Sequence, residues 1–395
     1  YTVLSRGTDI AGNTQLEPAS DTFTYDVTAP TVGVVQDGIE QADQDWTNST
    51  TTISASWSGF FDATSGIMSY DYAAGTINQN PTDLIDWTTA GTDTAFLDSI
   101  DITGNPTYFV SVRATDGAEN VSFSTSDGIT IDSSDPVISL IYEGATIQDY
   151  DFQQDSTSLI IAWFGSDAAS REITDYLACL GTSPSDTNIV TWTAVGNITT
   201  YTFEGLSLNE GITYYASVQA IDNAGNMSDM FSGDGITIDQ SNPVTGQVND
   251  GIGVDIDWAN INYLAEGNWT GFFDSLSGIA EYEYSLGLDT GQTEIVDWTS
   301  AGLDTSITIG NVSLDEGPTY YTNVRAIDLV GNVSPVISSN GFGLDQSAPV
   351  SGTVIDGFDT DQTWTNSTDS LNASWSGFSD QYSGIDFYEY SIDSS

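Results

Sequence analysis

Any chemistry in this chain must come from carboxylates. Its 395 residues include 57 Asp and Glu against four Arg, with neither Lys nor His, for a formal net charge of -53. Without His there is no Ser–His or Cys–His nucleophile pair and no imidazole metal ligand. Without Lys there is no Schiff base, no phosphate-loop lysine and no Lys–Asn isopeptide cross-link. A polyanion this dense cannot neutralise phosphates, which excludes nucleic acid as a partner, and anionic lipid headgroups repel it. What remains is acid–base work by carboxylates and metal binding through oxygen. Two acids ~5–9 Å apart could hydrolyse a glycoside, but in a chain this acidic some pair meets that distance by chance. The expectation is a non-catalytic protein.

The acids stand in columns. Asp26, Asp132, Asp239 and Asp345 each lie four residues before a proline. Asp37, Glu143, Asp250 and Asp356 each precede a glycine. Asp62, Asp167, Asp274 and Asp380 follow a tryptophan by four or five residues, and Asp9, Asp116, Asp222 and Asp328 end a hydrophobic run. The columns belong to an internal repeat. Trp57, Trp163, Trp269 and Trp375 recur at intervals of 106, as do Trp46, Phe152, Trp258 and Trp364. Prolines at 30, 136, 243 and 349 close the units. The expected organisation is three whole repeats, 31–136, 137–243 and 244–349. Residues 1–30 read as the tail of a preceding repeat and 350–395 as the head of a following one, so the chain reads as a window on a longer array.

Strands must carry these residues. Tyr108, Val110, Val112 and Ala114 alternate with Phe109, Ser111 and Arg113, the period of a half-buried strand. Ile53, Ala55 and Trp57 do the same, and Asp-Gly, Ser-Gly and Gly-Asn pairs punctuate the runs. No segment keeps a helical period. The composition, 39% hydrophobic and 11% aromatic, supplies cores and argues against disorder. The lone cysteine, Cys179, rules out an internal disulfide framework and reads as a small core residue. No apolar run approaches the ~18–20 residues that span a bilayer. About seven short strands per ~100 residues predict an all-β fold of sandwiches joined by short linkers.

The motif Leu314-x-Glu-Gly-x-Thr-Tyr-Tyr321, running into Val324-Arg-Ala-x-Asp-x-x-Gly-Asn332, resembles a fibronectin type III-like repeat. The Asp62-x-x-Ser-Gly-Ile67 and Asp222-x-Ala-Gly-Asn226 stretches are similar to Ig-like repeats of giant bacterial surface proteins and adhesins. The likeness covers the whole chain. The second copy departs from it, with Ser170-Arg171-Glu172-Ile173 in place of Ser-Gly-Ile and Ala178 where the others have Tyr. The resemblance implies a tandem array of seven-stranded sandwiches, with Tyr108, Tyr214 and Tyr320 as tyrosine-corner residues. It also implies which acids share an end of each sandwich. At the first whole junction Asp37 and Asp132 would arrive from one repeat, Asp167 and Asp222 from the next.

Clustered carboxylates repel unless a cation sits among them, and Ca²⁺, which takes ~6–8 oxygens in loose geometry, suits such a cluster. The metal-site expectation is therefore Asp26, Asp37, Asp62, Asp116, Asp132, Glu143, Asp167, Asp222, Asp239, Asp250, Asp274, Asp328, Asp345 and Asp380. Asn226 and Asn332 would add side-chain oxygens. The competing reading is turn chemistry alone, since Asp and Asn bond nearby backbone N–H groups. Trp57 and its copies read as core; Trp87, Trp192 and Trp298 are the expected contact surface. Arg113 and Arg325 read as cross-strand partners of carboxylates. The resemblance implies an extracellular spacer, stalk or filament segment of a bacterial surface adhesin, stiffened by Ca²⁺ between adjacent repeats. The alternatives are a subunit of a self-assembling fibre or sheath, and the spacer or glycan-binding repeats of a secreted polysaccharide-degrading enzyme. The expected partners are adjacent repeats, other copies in a fibre, and surface glycans or other cells met beyond this window.

Overall fold

In the computed structural model the protein is all-β, and the structure describes residues 1–39, 42–101, 106–168 and 172–393. No helix occurs among them, so none is long and apolar enough to cross a membrane. Contacts divide the chain into two compact units: Tyr1–Ile147, Ile160–Tyr201 and Tyr215–Asp234 form one, and Gln148–Leu159, Thr202–Tyr214 and Gly235–Ser395 the other.

The first unit holds a complete two-sheet sandwich. One sheet is Val34–Asp37, Thr52–Ser58 and Ala95–Ser99, paired antiparallel in that order. The other runs Trp46–Thr47, Ile129–Ile131, Thr107–Asp116, Ile67–Gly75, Ile85–Gly91, with Val121–Thr125 also paired to Thr107–Asp116. Trp46–Thr47 is parallel to Ile129–Ile131; the remaining pairs are antiparallel. The first and last strands are each broken in two, so these nine segments make seven strands. Alternation builds the core: Ile53, Ala55 and Trp57 are buried while the residues between them are not. Trp57 meets Tyr70 edge-on at 5.8 Å, and Tyr72 stacks on Phe96 at 3.9 Å. The same unit pairs Val137–Glu143 with residues 161–166, and Ile173–Gly181 with Val190–Ala194 and residues 215–222. There Trp163 meets Tyr176 edge-on at 5.4 Å. Cys179 lies buried in Ile173–Gly181, where burial pushes its thiol up to about 11. Residues 1–30 contribute the pair Thr2–Ser5 and Ala19–Thr22.

The second unit repeats the plan. Gln247–Asp250, Leu264–Thr270 and Ser306–Gly310 form a three-stranded sheet. The facing sheet runs Trp258–Ala259, Phe342–Leu344, Thr319–Asp328, Ile279–Gly287, Val296–Gly302, with Ile337–Ser338 on Thr319–Asp328. Trp269 meets Tyr282 edge-on at 5.7 Å. Phe152–Gln153 pairs parallel with Ile236–Ile238, which pairs with Thr213 and Tyr214. Thr353–Asp356 pairs with Ala373–Ser376. The tyrosine corners form as expected. The Asn209 N–H donates to the Tyr214 hydroxyl at 2.8 Å, and the Asp315 N–H to that of Tyr320 at 2.7 Å. Tyr108 is buried likewise, but the residue five positions upstream of it lies outside the described residues.

Trp87 and Trp298, expected as a contact surface, are covered. Arg113 lies 4.7 Å over the half-buried Trp87 ring while its Nε bonds Asp71 at 3.0 Å. Arg325 lies 4.4 Å over Trp298 and bonds Glu283. The guanidinium covers the ring face that a partner would need. At the matching place in the second copy Trp192 is half-buried and Gln219 replaces the arginine.

Candidate metal centres

Three aspartates from three separate segments converge at each of three places. They are Asp26 with Asp62 and Asp116, Asp132 with Asp167 and Asp222, and Asp239 with Asp274 and Asp328; in each trio one oxygen per residue lies within 4.8 Å of the other two. A linker, the loop after the core Trp, and the end of the tyrosine-corner strand supply one acid apiece. At a fourth place the Ser383 N–H donates to both Asp345 Oδ2 (3.1 Å) and Asp380 Oδ1 (2.9 Å).

Local turns aim these side chains. Asp62 Oδ1 accepts the N–H groups of Thr64, Ser65 and Gly66 at 2.9, 2.7 and 3.1 Å. Gly66 closes that turn at φ 70°, and Gly278 and Gly384 close theirs at 81° and 78°, a region costly for any residue with a Cβ. In the second copy the glycine's place falls to Arg171 which, with Ser170, lies outside the described residues. Asp222 Oδ1 accepts from Ala224 and Asn226 N–H at 2.9 and 2.8 Å; Asp328 Oδ1 does the same with Val330 and Asn332. Asp26 is held below the usual carboxylate range, chiefly by the Thr28 N–H and then the Ser65 hydroxyl. Asp345 is held down by bonds from Ser383. At Asp116 burial pushes upward but is outweighed by the side chain and backbone of Asn120. Turn bonds therefore favour the ionised form of Asp26 and Asp116, which with Asp62 bring one oxygen each within 4.8 Å of one another.

The asparagines act differently from the expectation. Asn226 Nδ2 donates to the Asp132 carbonyl at 3.0 Å and to Asp222 Oδ2 at 2.8 Å. Asn332 Nδ2 donates to the Asp239 carbonyl at 3.3 Å and to Asp328 Oδ2 at 2.7 Å, while its oxygen accepts from Gln154. The amide nitrogen faces the acids, so each asparagine clamps linker to loop and does not present its oxygen to a cation. Asn120 makes the same bridge from Asp116 to the Asp26 carbonyl.

Nor does the first-turn column join the linker acids. Asp37, fully buried, lies instead with Asp43 and Asp127. Glu143 is also fully buried, its carboxylate against the backbone of Gly233. Asp250 is fully buried and satisfied: Oδ1 accepts the Thr322 hydroxyl at 2.9 Å and Oδ2 the Gly341 N–H at 3.1 Å. The sequence reading missed Asp43 and Asp127. Asp43, Asp149, Asp255 and Asp361 recur at intervals of 106, a column that could have revealed them.

Burial raises Asp250 from 3.8 to about 6. Its folded form therefore binds a proton more tightly than the unfolded chain does. This residue's contribution is most favourable below pH ~4, declines as pH rises to ~6, and is constant above. Asp250→Asn, measured in EDTA, is expected to raise the stability of its sandwich at pH ~7 by about 1–3 kcal/mol and to flatten that decline. Melting temperatures across pH check it; an unchanged profile contradicts it.

Residues 102–233 match the family model described as bacterial Ig-like domain (group 3). No curated protein matches this sequence. Among solved structures, the chain is similar to the FN1–FN3 domains of chicken CNTN1, at 14% identity and a TM-score of 0.29, covering 80% of this chain and 99% of that one. It is also similar to the fibronectin(III)-like modules of Clostridium thermocellum CbhA, at 13% identity and a TM-score of 0.35, covering 52% and 94%. The strand order described above makes the repeats β-sandwiches, and the Ig-like match falls on residues 102–233 of them.

Proposed function

We propose that this chain is a non-catalytic spacer or stalk segment of a long extracellular bacterial surface adhesin, stiffened by Ca²⁺ held where repeats meet. The observation that carries the reading is the recurrence of one aspartate trio, each time drawn from a linker and two loops of the next repeat. A catalytic centre has no reason to recur in every copy, whereas a mechanical joint must. Each trio brings three carboxylates together in a chain with only four arginines, so protein cations cannot do the neutralising. Asp167 Oδ2, buried and without a hydrogen-bond partner among the described residues, supports an unmet need for positive charge.

The donor set fits Ca²⁺. It is all oxygen, and it spans up to 4.8 Å, about twice a Ca–O bond. Asp26, Asp132 and Asp239 would hold the ion from the linker side. Asp62 with Asp116, Asp167 with Asp222, and Asp274 with Asp328 would hold it from the loop side. When bound, Ca²⁺ supplies the positive charge that lets a linker and two loops share one rigid arrangement. Dense negative charge elsewhere opposes collapse and association. The calcium dependence of thermal unfolding of the whole chain tests the reading; a melting curve indifferent to chelation counts against it.

A further inference from the structure

We propose that the first whole repeat carries a second, internal divalent-cation site formed by Asp37, Asp43 and Asp127, of a kind that takes Ca²⁺. It is separate from the junction trios and does not depend on them. Asp37 follows Val35 on the inward face of its strand and has no exposed surface. Its Oδ2 accepts the Gly128 N–H at 3.0 Å, while its Oδ1 is buried with no hydrogen-bond partner among the described residues. One oxygen from each of Asp37, Asp43 and Asp127 lies within 4.8 Å of the other two. Asp43 is pinned in place, since its Oδ1 accepts the Asp37 backbone N–H at 2.7 Å.

A buried carboxylate oxygen facing two more carboxylates needs either a proton or a metal ion. Burial, then the Asp43 and Asp127 charges, push Asp37 up to about 7, although the nearby Ser126 hydroxyl and the Gly128 N–H oppose the shift. Oxygens up to ~5 Å apart can share a Ca²⁺ at ~2.3–2.6 Å from each, a looser fit than the ~2.0–2.1 Å octahedron of Mg²⁺.

The third repeat is the internal control. Its buried Asp250 meets the Thr322 hydroxyl, where the first repeat has Val110 and a methyl that cannot donate. Asn340 stands where the first repeat has Asp127. One repeat thus answers its buried acid with a hydroxyl and a neutral amide. The other leaves an open oxygen and adds a third charge.

The test is equilibrium dialysis of the full chain against radioactive Ca²⁺ at neutral pH and ~0.15 M salt. Val110→Thr with Asp127→Asn, which copies the third repeat, is expected to remove one bound ion per chain. Asp222→Asn, which touches only a junction trio, is expected to leave that ion bound. Should the double variant lose its native circular dichroism, the near-isosteric Asp37→Asn reads the same loss. Undiminished Ca²⁺ binding in the folded variants overturns the proposal. Loss of this ion together with no effect of Asp222→Asn leaves it standing while removing support for the junction sites.

Discussion

Transfer from ~5 mM Ca²⁺ to excess EDTA is expected to lower the melting temperature of the whole chain by about 10 °C. Extracellular calcium modules bind with dissociation constants near ~0.1 mM, so a filled site adds about 2 kcal/mol at that concentration. A domain of ~100 residues shifts by about 4–8 °C per kcal/mol. Chelation also restores the repulsion among the three carboxylates of every trio, in the same direction. High salt should recover only part of the loss, because it screens exposed charges and leaves buried ones such as Asp222 largely unscreened. Differential scanning calorimetry in Ca²⁺, Mg²⁺ and EDTA makes the comparison. Equal melting temperatures in all three would contradict it.

The second large effect is in the core. Trp163 is 1% exposed and packs edge-on against Tyr176, so Trp163→Ala is expected to cost about 3–5 kcal/mol and to unfold the second repeat selectively. Trp163→Phe should cost much less, about 1–2 kcal/mol. The indole N–H of Trp163, like those of Trp57 and Trp269, finds no acceptor among the described residues. Phenylalanine forfeits area but also removes an unsatisfied buried donor, and the two effects oppose one another. Denaturant titration of both variants checks the ordering; equal costs would mean the N–H is satisfied in solution.

Much of this was legible in the sequence because repetition multiplies a weak signal. The 106-residue interval located the core tryptophans, and period-two alternation placed Tyr108 and Val110 inward, both of which the structure shows. The linker acids and the two loop acids met as the sandwich topology implied. Asp37 did not, and the reason lay in its own strand. Val35 and Asp37 are two residues apart, so a strand that buries one buries the other, as Val248 and Asp250 repeat. The aspartate before a glycine read as a turn residue at the end of the sandwich, whereas the strand's alternation turns it inward. The asparagine clamps were not readable, because spacing cannot say whether an amide presents nitrogen or oxygen. Trp87 and Trp298 looked exposed because the arginines that cover them come from a distant strand, and only the register Asp71 opposite Arg113 brings them together.

Small-angle X-ray scattering of the full chain, in Ca²⁺ and then in EDTA, tests the stiffening claim most directly, with Asp132→Ala plus Asp239→Ala as the comparison. If the junction trios hold Ca²⁺, the native chain is longer and less variable in Ca²⁺ than in EDTA. The double variant then scatters alike in both and resembles the native chain in EDTA. Identical scattering from the native chain with and without Ca²⁺ would contradict the account, and the trios would then be turns whose acids serve solubility alone.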